Sequence, residues 1–557
     1  MLGLLELPPE VLVDILLHLH PLDIAACKVV CHSLYHIISN SSLIAYHVEL
    51  RIAGMQNNPY CSLPVASRLK MLKDREAAWL AFEPKFTKNI PVPFVPVGLY
   101  DVTPGFYLKG EELYAGARMT RSVQAIRLPH EVNEEPEWTV IDFESDIIDF
   151  ATSIEEDDLV AAVKVVQVDG SQESRLYVDL RRYSTKQPYD GVANPNIILD
   201  EVATRRGRPM VSIEIAGENL IVIPEFPVDI ILRNPVPRLM YVVNWKTGKK
   251  KADPVHVSNP GLVFLREDMF LNPNMANSTI DIFYISETSV VLVKQLSFPA
   301  LQPGRLITFI ACRGDPSPRA KGAFPKHTPS WRPYANNPED AVIIFAVQIG
   351  GEMQIPNDHA DHYFMVVHRR ALLSLLDASD FELDTPIISV PWESWGPPIT
   401  RWLPAPSAAM NFITLSAGQR FVLLQLGVEF VGNDDEGGEM FEPRRLYTLL
   451  DFNPWNVMRL RDNDYKRLRP NLIRTVVGLP SPAQSTWFAL SGEELPENIC
   501  PRRNSFVDNV VSRLPYIRYS HLRDFDHEIH ESVLIDEERL IGVKFVEVDS
   551  LDVMYFG

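Results

Sequence analysis

Between Glu10 and His20 the polar residues Glu10, Asp14 and His18 recur at every fourth position, while Val11, Leu12, Val13, Ile15, Leu16, Leu17 and Leu19 fill the gaps. That spacing predicts a helix with one narrow polar stripe and a need for burial on more than one side. Pro8 and Pro9 suit its first turn, where a missing N–H costs little, and Pro21 with Asp23 marks a stop and restart. The pattern then predicts a second helix over Ile24 to Val30, a third over His32 to Ile38, and a fourth through Leu43 to Leu50, capped from Ser39 to Ser42. A bundle of about fifty residues lies near the lower limit for independent folding. Its apolar arc is wider than so small a unit encloses, so another domain or another protein must cover part of it.

Downstream, Val65, Leu69, Leu72, Ala77, Trp79 and Leu80 fall near helical spacing within Ser62 to Phe82. They predict an amphipathic connector, serving as a stiff spacer, as a helix packed on the next domain with Trp79 buried, or as both. Pro84 ends it, and the prolines from Pro91 onward exclude a longer helix. From about Ile90 the pattern changes to short runs such as "LVAAVKVVQV" and "RLMYVVNW", separated by Pro, Gly, Asn and Asp. This is an all-β signature, and the absence of βαβ alternation argues against a doubly wound parallel sheet.

A strand, polar turn, strand theme recurs around Asp158, Asn219, Asp268, Gln419 and Glu538. Its separations are irregular multiples of roughly 50 to 60 residues, near the period of one four-stranded propeller blade. The chain beyond about residue 95 would hold about seven such blades, without WD or kelch signatures. A ring also removes exposed strand edges, and "LIGVKFVEV" with "LDVMYFG" is expected to complete a blade begun near Phe106 to Tyr114. The fold class is therefore α+β and multidomain: a helical unit over 1–52, a helical linker over 53–90, and a degenerate β-propeller over 91–557. Paired β-sandwiches are the alternative for the last part.

Composition narrows the function. The 557 residues exceed what one core usually serves, and 46% hydrophobic content supplies ample core. A formal charge of −19 disfavours a general nucleic-acid or anionic-membrane binder, and the short run Arg205, Arg206, Arg208 reads as a solvated loop. Five scattered cysteines fit reduced thiols, "MLGLLELPPE" has no basic leader, and the longest apolar run, Ala341 to Ile349, is far too short to span a membrane. The expected location is the cytoplasm, the nucleus or both.

Candidate chemistry is sparse. Cys27, Cys31, His32 and His36 lack a second cysteine pair for zinc. Asp358, His359, Asp361, His362 and His368, and likewise Asp524, Asp526, His527 and His530, read as solvated loop ends in preference to metal ligands. There is no phosphate loop, dinucleotide fingerprint or nucleophile elbow, so no cofactor, metal or catalytic residue is assigned. Phe430 to Arg445 reads as a hairpin with an acidic tip, and Trp392, Trp395 and Trp402 as aromatics buried between blades, with partner recognition as the alternative.

One ordered set of residues carries a family resemblance: Leu7-Pro8, Glu10, Ile15-Leu16, Pro21-Leu22-Asp23-Ile24, Val30-Cys31 and Tyr46. This stretch resembles an F-box, and the organisation of the whole chain is similar to fungal F-box proteins with a degenerate propeller. Two departures are Leu34, where an aromatic is common, and Tyr46, where Trp is frequent. The resemblance implies docking onto a Skp-family adaptor and, through it, onto the cullin and RING subunits of an SCF-type ubiquitin ligase. The residues expected to make the docking contact are Leu7, Pro8, Val11, Leu12, Ile15, Leu16, Leu19, Leu22, Ile24, Val30 and Cys31. The β domain would then capture a protein target, non-catalytically, through residues the sequence does not identify. Alternatives are a propeller-fold hydrolase with a helical cap and an F-box scaffold acting outside ubiquitination.

Overall fold

The computed structural model describes residues 4–113, 119–227, 238–320, 322–351, 360–381, 387–405, 414–433, 439–460, 465–469, 472–477, 499–500, 504–521, 530–544 and 549–557. Helices α1 (Pro9–Leu17), α2 (Pro21–Lys28), α3 (His32–Asn40) and α4 (Ser42–Ala53) appear in the predicted order. Proline opens α1 and α2, the Ile44 N–H donates to Ser41 Oγ at 3.2 Å, and Gly54 ends α4 in the left-handed conformation at φ 67°. Leu16, Ile24, Leu34, Ile38 and Ile44 form the small core they share.

Helix α5 (Val65–Ala81) is packed against the β region. Trp79 is 1% exposed and stacks on Phe556 with ring centroids 4.0 Å apart, inside a core that includes Val422, Tyr447 and Leu540. The connector is thus part of the β domain's own packing, which removes its freedom to swing.

Among the described residues, seven sheets of four or more strands succeed one another beyond α5. Their first strands are Pro96–Thr103, Asp149–Ser153, Met210–Ala216, Val263–Arg266, Arg305–Arg313, Ser416–Ala417 and Ser532–Ile535. Each opens an antiparallel meander; the fourth sheet adds Ile388–Val390 in parallel, and the sixth is widened by Leu472–Val477 and Tyr465–Arg469. The core is divided in the same way. Separate apolar clusters join the first sheet to the second, the second to the third, the third to the fourth, the fourth to the fifth, the fifth to the sixth and the sixth to the seventh. A seventh cluster, with Ile90, Tyr107, Ile126, Leu534 and Val553, joins the last sheet back to the first. Sheets packed face to face in a closed cycle form a β-propeller of seven blades, and paired sandwiches are excluded.

Closure differs from expectation. The seventh blade is completed by Phe86–Pro91, in register from Phe86↔Tyr555 to Pro91↔Ser550, and all of this strand but Pro91 falls inside the segment expected to be linker. The expected closing partner, Phe106–Glu112, has both edges occupied by its own blade, through Tyr107↔Val102 and Tyr107↔Ile126. Helix α5, seated on Phe556, delivers the chain directly beside the open edge of Ser550–Tyr555.

A long connection in the fifth blade, residues 314–337, ties the parts together. Its strand Tyr334–Asn336 pairs with Met55–Asn57, which follows α4. Tyr46 donates its hydroxyl to the Pro333 carbonyl at 3.1 Å, and Asn58 Nδ2 donates to the Arg332 carbonyl at 2.7 Å. Arg332 itself is buried between Glu155 of the second blade and Glu537 of the seventh, at 2.6 Å from each. This strap therefore runs beneath several blades and fastens the helical bundle to them.

Candidate functional site

The bundle presents an apolar surface that its own core does not use. Val11 and Ile15 share one side of α1, spaced one turn apart, and both are exposed, as are Leu4, Leu5, Leu22, Val29, Val30 and Tyr35. Val30 is 71% exposed and Leu22 60%, unusual for residues of this kind. Of the residues expected to meet an adaptor, Pro8, Val11, Ile15, Leu22 and Val30 lie on the surface, and Leu7, Leu19 and Cys31 are half-buried. Leu12, Leu16 and Ile24 are buried at 3%, 4% and 2%: they hold the fold and support the face from within. The two departures are also placed. Leu34 joins the bundle core, and Tyr46 turns toward the strap. Sequence reasoning passed over Leu4, Leu5 and Val29; their signal was apolar character at positions the helix pattern left unpaired.

A second site lies in the propeller channel. Residues of the first, second, third, fifth, sixth and seventh inner strands line a cavity of about 160 Å³. Arg313 sits there among carboxylates, 3.1 Å from Asp101, 3.2 Å from Glu214 and 2.8 Å from Asp315. Asp101 also accepts a hydrogen bond from Thr152 Oγ1 at 2.6 Å. Burial opposes the Arg313 charge, but Asp315, Glu214 and Asp101 together hold its pKa well above the ordinary guanidinium value. Burial pushes Glu214 up to about 7, against the pull of Arg313. It also pushes Asp149 up to about 7, although the Phe150 N–H donates to that carboxylate at 2.9 Å.

The strap contributes Pro316, Ser317, Pro318 and Asn336 to the lining. A second cavity, of about 560 Å³, lies beside the starts of the first three inner strands, lined by apolar Val97, Ile148 and Met210 and by Glu112, Asp149 and Arg208 among others. Asp149 lines both cavities. None of these channel residues was singled out from sequence. Their signal was a charged residue interrupting an apolar inner strand, as in "LYDVT", "IIDFA" and "SIEIA".

The remaining sequence candidates serve structure where they are described. Trp392, Trp395 and Trp402 are buried between the fourth and fifth blades, and Trp395 Nε1 donates to the Ser297 carbonyl at 2.9 Å. The ring nitrogens of His368 lie 3.3 Å and 3.1 Å from the carbonyls of Asp340 and Phe452, and Asp361 accepts from Ser505 Oγ at 2.6 Å. His530 bridges Tyr447 and Asp552 across the last two blades. Asp358, His359, Asp524, Asp526 and His527 lie outside the described residues, as does the tip 434–438 of the long hairpin formed by Arg420–Asn433 and Glu439–Asp451. Among the described residues no group of three or more His, Cys, Asp or Glu side chains is arranged to hold a metal ion, and no helix is long and apolar enough to cross a membrane. All five cysteines are free thiols.

Comparison with known proteins supports the division seen in the structure. Residues 4–48 match the F-box-like family model. No curated protein matches the chain. Among solved structures the chain is similar to the complex of KlAtg21 with the coiled-coil of AgAtg16, at 7% identity over 63% of this chain and 79% of that one, with a TM-score of 0.28. It is also similar to the C-terminal WD40 domain of Sif2, at 9% identity over 85% of this chain and 99% of that one, with a TM-score of 0.28. Sqt1 of Saccharomyces cerevisiae is similar at 7% identity over 51% of this chain and 84% of that one, with a TM-score of 0.22. At these TM-scores the blade assignment rests on the sheets themselves. The chain carries an F-box-like domain followed by a large all-β region.

Proposed function

We propose that this chain is the substrate-receptor subunit of an SCF-type cullin-RING ubiquitin ligase, docking a Skp-family adaptor through the bundle and a protein target through the propeller. The observation that carries the reading is the exposed apolar face of Val11, Ile15, Leu22 and Val30 on a domain matching the F-box-like family. Such a face is stabilised by burial against a partner, at about 25 cal/mol per Å² of apolar surface. Its attachment also suits the role: α5 and the strap fix the bundle to the propeller. Cullin and RING subunits follow from adaptor docking, and the chain itself acts without chemistry. The free thiols support a reducing compartment, cytoplasm or nucleus.

Co-expression with a Skp-family adaptor tests this. The expected result is a stable one-to-one complex that brings cullin with it, and at least about tenfold weaker binding for Val11→Asp with Ile15→Asp, because charge placed in an apolar contact must be desolvated. An undiminished complex with that folded double variant would remove the docking role of α1, and adaptor binding without cullin would favour a scaffold outside ubiquitination. The channel carboxylates Asp101, Asp149 and Glu214 give one observation to the hydrolase alternative. The outward apolar face speaks against a bundle that is merely a cap.

A further inference from the structure

The cavity of about 560 Å³ beside the first three inner strands is the centre of an exposed apolar patch. We propose that it is a docking groove for an extended segment of the target protein that offers an apolar side chain, such as leucine, without acidic or phosphorylated neighbours. The inference rests on the receptor reading of the β domain and gives that reading a ligand class.

Apolar exposure is the first argument. Met210, on the cavity wall, is 69% exposed, the highest value for a large apolar side chain among the described residues of the β region. Val95, Leu113 and Met119 are exposed as well, and each is next in the chain to a residue of the lining: Pro96, Glu112 and Thr120. Main-chain hydrogen bonds hold these segments side by side. The Glu112 N–H donates to the Val95 carbonyl at 2.9 Å, and the Leu113 N–H to the Met119 carbonyl at 2.9 Å. Single exposed apolar side chains scattered over a surface are ordinary, whereas several gathered at one cavity with a polar rim mark an interaction site.

Backbone geometry is the second, independent argument. Strand Pro96–Thr103 leaves its ladder here: Pro96 pairs with Glu111 and Tyr100 with Lys109, so Val97, Gly98 and Leu99 stand opposite Gly110 alone. The bulge is seated on that glycine, where an added Cβ would meet Val97 Cγ2 at 2.6 Å and Leu99 Cβ at 3.2 Å. A bulge re-aims side chains and takes main-chain groups out of the ladder. At this cavity it supplies an apolar wall from Val97 and Leu99, and it leaves main-chain groups without a ladder partner, the feature by which an extended segment is held whatever its sequence. A Cβ on Gly98 would meet nothing within 4 Å, so the crest of the bulge lies open.

Size and charge select the occupant. The volume falls within the roughly 300–1,000 Å³ of clefts that hold ligands. The charged residues of the lining are Glu112, Asp149 and Arg208, and Arg208 is engaged by Asp146 at 3.3 Å and by the Ile147 carbonyl at 2.8 Å. Carboxylates thus outnumber the one base of the rim, on a chain whose formal charge is −19. An acidic or phosphorylated segment would be repelled, which leaves an apolar segment with neutral or basic flanks as the fitting partner. A second copy of this chain carries the same charge and is disfavoured at the patch for the same reason.

The test uses the full chain, immobilised, and blocked nonapeptide libraries with leucine or serine at the central position and random residues elsewhere. The leucine library is also made with glutamate or with lysine on both sides of the leucine. Expected are at least about tenfold greater retention of leucine than of serine peptides, weaker retention of the glutamate-flanked form than of the lysine-flanked one, and loss of the leucine preference in Met210→Asp, since charge in an apolar contact must be desolvated. Leu113→Asp takes the place of that variant if it does not fold. Ile198→Asp, exposed on the outer strand of the second blade, should keep the preference. Equal retention of the leucine and serine libraries, equal or stronger retention of the glutamate-flanked form, an undiminished preference in the folded groove variant, or its loss in Ile198→Asp would overturn the proposal. So would a wild-type dimer in size-exclusion chromatography with light scattering that Met210→Asp dissolves, because the occupant is then a second copy. The libraries contain no adaptor, so absence of a leucine preference refutes the groove, while failure of adaptor docking refutes the ligase reading and leaves the groove standing.

Discussion

Asp149 and Glu214 are held at a cost to stability. Both are pushed up to about 7 by burial, so between the ordinary carboxylate range and that value the folded state binds more protons than the unfolded one. Their penalty is absent below the unfolded pKa and fully felt above about 7, and stability should therefore fall as pH rises across that window. Asp149→Asn removes one such penalty. Its thermal midpoint is expected to exceed wild type at pH 8 and to converge with it only below the unfolded carboxyl pKa of 3.8, and scanning calorimetry at pH 8 and below that value checks this; an equal midpoint at pH 8 would contradict the electrostatic account. Trp79, sealed between α5 and Phe556, acts oppositely: Trp79→Ala should cost roughly 3–5 kcal/mol by leaving a cavity, seen as a lowered denaturant midpoint. The apolar spacing within Ser62 to Phe82 made Trp79 legible as a buried residue. The direction of Tyr46 was not legible, because the Pro333 carbonyl that receives its hydroxyl lies on the strap, far along the chain.

Among elements, the helices were the most readable, since proline starts and a serine cap mark their bounds locally. The closing strand was the least readable. Phe86–Pro91 is short and bracketed by prolines, and nothing in its own residues names Ser550–Tyr555 as its partner; only the seating of α5 does so. A truncated chain beginning at Pro93 should therefore lose ring closure, leave Ser550–Tyr555 with a bare edge and self-associate. A chain beginning at Val65, which keeps α5 and Phe86–Pro91, should remain monomeric in size-exclusion chromatography with light scattering. If both truncated chains are monomeric and equally stable, the strand is dispensable. The channel residues were hidden for a related reason: each is one charged position in an otherwise ordinary strand, and Asp101, Asp149, Glu214 and Arg313 converge only when their blades close the ring.

For the molecule as a whole, the bundle and propeller behave as one body to the extent that the strap holds. Arg332 is buried between Glu155 and Glu537, and Arg332→Ala would leave both carboxylates without their cation, an arrangement that costs about 3–5 kcal/mol when a buried pair is broken. Hydrogen exchange should then rise at Met55–Asn57, whose strand partner follows Arg332 directly, and stay unchanged at Val342–Gly351 in the fifth blade. Unchanged exchange at Met55–Asn57 would show that the strap does not depend on this buried ion pair. The closure of the ring by Phe86–Pro91 also sets a timetable for synthesis. At ~5–20 residues per second the ribosome makes Phe86 and its partner Tyr555 tens of seconds apart. For most of that interval the first four helices are already made, while the blades that bring the channel residues together do not yet form a ring. Under the proposed receptor role, a newly made chain is thus open to an adaptor before its propeller has closed.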